Sequence, residues 1–162
     1  MSATGRLRGV QPASGMLALL VFALLTSAAV ANDKAYDVSV LGIRATKSNS
    51  QISPELKPIA AELKKRFNYT GFKLERKTKR SVNKGKTLST DLVAGFKAKI
   101  TPIERKGRRL KLKIEITKRE GSKERRLANT TITITSGRYQ LLGGWKIDSK
   151  GQDVLITAIS AR

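Results

Sequence analysis

Apolar and polar residues alternate along most of this chain. In GRRLKLKIEITKRE, residues 107–120, Leu110, Leu112, Ile114 and Ile116 alternate with Arg109, Lys111, Lys113 and Glu115, the period of a strand with one buried face. TGFKLERKT repeats it, with Phe72 and Leu74 on one side and Lys73, Glu75 and Lys77 on the other. DLVAGFKAKI sets Leu92, Ala94, Phe96, Ala98 and Ile100 on one face, and TITIT, residues 131–135, alternates β-branched side chains that suit a pleated surface. AYDVSVLGIRAT, residues 35–46, is apolar on both faces. GGWKIDSKGQDVLITAIS predicts a hairpin, with Trp145 and Ile147 before the turn DSKG and Val154 to Ile159 after it. Its second strand, apolar on both faces, is expected to be central.

One segment keeps a different period. After the polar break KSNSQ, Leu56, Ile59, Ala60, Leu63 and Phe67 fall on one stripe of a 3.6-residue helix over residues 53–67. Ser53 is placed to cap it with Pro54 at the first position, but Pro58 then lies inside and removes a backbone donor, so a start nearer Pro58 is the alternative. KRSVNKGK is expected to be a basic connection. The resulting fold class is α+β: a mostly antiparallel sheet or open barrel of about seven strands with one helix packed on it.

Residues 1–31 stand apart. Arg6 and Arg8 precede the apolar run Met16 to Leu25, and small residues spaced A-x-A end at Ala29 and Ala31. This is the order of a secretory signal peptide cleaved after Ala31, leaving residues 32–162 as a single β-rich exported domain, periplasmic or extracellular. The apolar core is short for a membrane anchor, which needs about 20 residues. Loss of Arg6 and Arg8 takes the formal charge from +21 to +19. Such a field favours anionic partners and disfavours self-association. With no cysteine, the exported domain holds itself together by packing.

Composition also narrows the chemistry. Neither His nor Cys occurs, which removes the commonest general base, the commonest zinc ligands and the thiol nucleophile. LLGG lacks the Lys and Ser/Thr of a phosphate-binding loop. Glu104, Glu115, Glu120 and Glu124 each lie beside basic neighbours, as charge partners do. The expectation is a protein that is not an enzyme and holds no cofactor or metal. NYT at Asn68 and NTT at Asn129 fit the glycosylation pattern, which matters only in a cell with that machinery.

The layout from Tyr36 to Arg162, a strand, then PELKPIAAELKKRFNYTGFKL, alternating strands and a terminal LLGGWKIDSKGQDVLITAIS, resembles small exported bacterial domains of unknown function. The β-α-β opening is also similar to the small periplasmic modules of secretins and outer-membrane receptors. Those modules are shorter and lack the long Lys-rich strands. The resemblance implies an envelope role and no activity.

Whether the cations cluster depends on register. Strands 92–103 and 110–116 both bury even-numbered residues, so opposed residue numbers must sum to an even value, which excludes a two-residue loop. The expected connection is Arg105, Lys106 and Gly107, with Gly107 in a left-handed bulge position. Ile100 then faces Leu112, Ala98 faces Ile114 and Phe96 faces Ile116. On the outside Thr101 faces Lys111, Lys97 faces Glu115, and Lys99 opposes the like charge of Lys113. Lys97, Lys99, Arg109, Lys111 and Lys113 are the candidate anion-binding residues. The expected partner is an anionic envelope component: lipid headgroup, lipopolysaccharide or acidic glycan, with peripheral membrane contact. Nucleic acid is disfavoured by compartment and by few aromatics for base stacking. The alternative is an assembly or accessory subunit docking on a protein, its charge serving solubility.

Overall fold

The computed structural model describes residues 35–162; the expected signal peptide and its cleavage site lie outside them. Eight strands form two four-stranded antiparallel sheets. The strands are β1 Ala35–Thr46, β2 Gly71–Asn83, β3 Leu88–Asp91, β4 Phe96–Lys106, β5 Arg109–Glu120, β6 Lys123–Thr135, β7 Gln140–Lys146 and β8 Asp153–Ala161. The first sheet has the order β2-β1-β8-β7 and the second β3-β4-β5-β6. The expected α+β fold, a mostly antiparallel sheet or open barrel of about seven strands with one helix packed on it, is thus corrected to a mostly β architecture of eight strands in two sheets with one short helix, and no closed barrel among the described residues.

The patterns of β1 and β8 explain why there are two sheets. A strand apolar on both faces must be covered twice, and no single helix can do this for β1 and β8 together. Val38 and Val40 of β1 and Leu155 and Ile159 of β8 pack with Phe96, Ile100, Leu112 and Ile114 of the second sheet. The opposite side of the same strands, Ile43, Ala45, Ile156 and Ala158, packs with Leu56, Ile59 and Leu63.

The helical segment is shorter than its periodicity predicts. A 3-10 turn spans Pro54–Ile59, and α1 covers only Ala60–Arg66. Pro58 removes the donor that a continuous helix needs. Leu56, Ile59 and Leu63 are buried as expected, whereas Phe67 is half-buried. The basic connection expected at KRSVNKGK is also corrected: β2 runs on to Asn83 and pairs with β1 along its whole length. In DLVAGFKAKI the apolar alternation is interrupted, because Ala94 (φ 52°) and Gly95 (φ 79°) form the turn between β3 and β4. β8 lies between β1 and β7, as predicted for a central strand.

Candidate anion-binding face

The β4–β5 hairpin closes through a two-residue turn, Gly107–Arg108, between paired Lys106 and Arg109. Gly107 has φ 57°, the positive value that a type II′ turn requires at its first central position. Alone, this turn would set even residues of β4 against odd residues of β5. An extra residue, Ile103, bulges out between Pro102 and Glu104 and restores the phase. Below the bulge Ile100 faces Ile114, Ala98 faces Ile116 and Pro102 faces Leu112, so the core remains inside.

The bulge corrects the expected register, and the charge picture changes with it. Lys99 faces Glu115, not Lys113, and its Nζ lies 3.1 Å from Glu115 Oε1. Lys113 faces Thr101, Glu104 faces Lys111 and Lys97 faces Thr117. The like-charge opposition of Lys99 and Lys113 does not exist.

All five candidate residues project from the outer surface of the second sheet, but they fall into two groups. At one end the charges are compensated: Lys97 lies 3.7 Å from Asp91, and Glu115 is shared between Lys99 and Arg126, the latter at 3.5 Å. The Thr117 hydroxyl donates a 2.5 Å hydrogen bond to Glu124. That bond first, and then Lys99, Lys97 and Arg119, hold the Glu124 carboxyl below its ordinary pKa against desolvation. At the other end Arg109, Lys111 and Lys113 are exposed, and none has an ion-pair partner within 4.0 Å among the described residues. Glu104, across from Lys111, instead meets Lys106 at 3.3 Å.

The floor beside this row belongs to β6. Thr135, Thr133 and Thr131 pair with Arg109, Lys111 and Lys113 in turn, so a line of small hydroxyls runs beside the line of cations. Alternate residues of one strand are about 6.8 Å apart. The surface can offer an anion three charges in a row together with neutral hydrogen-bonding groups. The threonines and Arg126 were legible only as strand formers and isolated charge; the off-phase Ile103 was the signal for the bulge.

The described residues also form clefts. One of about 670 Å³ lies at the end of the first sheet, lined in part by Arg44, Thr46, Gln51, Phe72 and Asp153. Arg44 bonds Glu75 at 2.9 Å and Asp153 at 3.1 Å. Burial opposes its charge, but those two carboxylates raise its pKa above the ordinary guanidinium value. The charges of this cleft are satisfied by one another. No cluster of three or more potential metal-ligating side chains occurs among the described residues, and no described helix is long and apolar enough to cross a membrane.

No protein-family model and no curated protein sequence matches the chain. Among solved structures it is similar to the cryo-EM structure of the T2SS secretin XcpQ from Pseudomonas aeruginosa, at 12% identity and a TM-score of 0.31. The match covers 78% of this chain and 55% of the neighbour's, so the chain spans little more than half of that protein's length. A likeness of this degree assigns no function.

Proposed function

We propose that the protein is a non-enzymatic exported domain that binds an anionic surface or polymer on the outer face of its second sheet. Arg109, Lys111 and Lys113 make the contacts, while Lys97 and Lys99 shape the field at the compensated end. The observation that carries this reading is the row itself: three exposed cations on one strand, without ion-pair partners among the described residues, beside a strip of threonines. The non-enzymatic reading is supported by carboxylates engaged with cations: Glu115 lies against Lys99 and Arg126, and Glu75 and Asp153 share Arg44.

The test compares retention on anionic and zwitterionic vesicles and on an acidic glycan. Lys111→Gln with Lys113→Gln is set against Lys77→Gln with Lys79→Gln on β2, a control of equal charge loss. The first pair is expected to weaken retention far more than the second; equal weakening would mean that net charge alone attracts the anion. With three contacts to a densely charged polymer, log affinity should fall with log salt at a slope of roughly 2 to 3. Export is part of the proposal, and its check is intact mass of exported material, expected to begin at Asn32. Retention of Met1 to Ala31 would exclude cleavage there.

A further inference from the structure

The four sheet edges differ in how they are protected. An open edge offers unpaired amides and carbonyls to any extended chain, and folded proteins blunt such edges with charge, shortness or bulges. β2 carries Lys73, Lys77 and Lys79, and β3 is only four residues long. These two edges also meet each other, through the 2.7 Å hydrogen bond between the hydroxyls of Thr78 and Thr90. β7 is interrupted by a bulge between Gly143 and Trp145. β6 carries charges and a bulge at Leu127 only in its first part, and beyond that bulge it has none of these protections. From Leu127 to Thr135 it carries no charge and no proline, and among the described strands it pairs only with β5.

The direction of its free groups follows from one hydrogen bond. Ser136 N–H donates to Arg108 C=O at 2.7 Å, continuing the register in which Thr135 faces Arg109. In an antiparallel pair the residues that bond across the ladder alternate. Even-numbered residues from Ala128 to Ile134 therefore bond to β5, while the amides and carbonyls of Asn129, Thr131 and Thr133 point out of the sheet.

We propose that the β6 edge receives an extended acidic segment of a partner protein, which adds to the second sheet as a fifth strand. Charge complementarity selects the occupant. Side chains opposite Thr131 and Thr133 on an added strand share their face and lie two strand spacings, about 9.6 Å, from the row on β5. Threonine is small enough for Lys111 and Lys113 to extend over it toward carboxylates at alternate positions of the new strand. A second copy would instead bring its own row of cations to the junction. The inference rests on the same row as the proposed anion-binding face and adds backbone pairing to it.

The probe is a synthetic peptide alternating Glu and Val over the length of β6, with a Lys/Val peptide as control. Binding of the acidic peptide is expected to be one-to-one and to slow amide exchange at Asn129, Thr131 and Thr133. The amides of Thr130 and Ile132, already bound to β5, should change little. Thr133→Pro removes an outward N–H without touching the β5 ladder, and should cost roughly tenfold or more in peptide affinity; Thr133→Val, which loses the same hydroxyl but keeps the N–H, should match it in vesicle and glycan retention and keep the parent's peptide affinity. Lys111→Gln with Lys113→Gln should weaken both. The exchange pattern of the parent protein tests the proposal even where Thr133→Pro fails to fold. Absence of binding, undiminished affinity in a folded Thr133→Pro, or unprotected outward amides would overturn strand addition. Outward amides already protected in a peptide-free dimer would assign the edge to a second copy and overturn the acidic partner. Peptide binding without retention on vesicles or glycans would sink the proposed function and leave this inference standing.

Discussion

Asp153 shows how one residue can join several parts of the first sheet. It faces Thr46 across the β1–β8 ladder and meets Arg44 at 3.1 Å. The Thr46 hydroxyl first, and then Arg44, hold its carboxyl below the ordinary pKa, against the desolvation that would raise it. A depressed carboxylate contributes stability that is complete above the unfolded-state value, near 4, and is lost as pH falls through the folded-state value. Asp153→Asn should therefore lower stability at neutral pH and narrow its gap to the parent in acid, as read by denaturant melts at pH 7 and pH 3. A gap that stays constant with pH would mean that the carboxylate charge does not matter. Few such partnerships were legible in the sequence: Leu56, Ile59 and Leu63 announce their burial by spacing, whereas nothing local links Asp153 to a residue more than a hundred positions earlier.

At the scale of elements, alternation revealed most of the strands and missed their grouping and register. The last strand was legible as central because both of its faces are apolar. That β1 shares this property implies a cover on each side, and the second sheet supplies one of them. The β4–β5 register failed for a specific reason. Beyond Pro102 the chain reads Ile103, Glu104, Arg105, Lys106, too polar to show on which face each side chain falls, so the bulge leaves only an apolar residue out of phase. The correction reverses an energetic expectation. If Lys99 opposed Lys113, an acid at position 99 would relieve repulsion. Because Lys99 bonds Glu115 at 3.1 Å, Lys99→Glu should instead destabilise the sheet by about 0.5 kcal/mol, or more if Arg126 cannot neutralise both acids. Thermal melts of that variant beside Lys99→Gln separate the two registers, since only the observed one makes Glu the worse replacement.

For the whole molecule, the cationic character was plain from composition, but its distribution was not. Much of the charge lies on exposed strands and turns, and the row on β5 becomes distinct only when the ion pairs elsewhere are known. The layered arrangement has a further consequence, for the order of assembly. β1 and β8 are buried on both faces over most of their length, yet they lie near opposite ends of the described chain: Val38 pairs with Ala161 and Thr46 with Asp153. Their amides should exchange the slowest in the protein, by global unfolding, while those of β3 and the outer edge of β6 exchange through local opening; hydrogen exchange measured residue by residue checks this. A centre built from such distant segments also closes late, because the loop between them must be ordered first. Until then β1 is an apolar ribbon without its neighbour, able to pair with the β1 of another chain. The strand that makes the finished protein most stable is the one that leaves the newly made chain most exposed to aggregation, and the dense positive charge around it keeps unfinished chains apart.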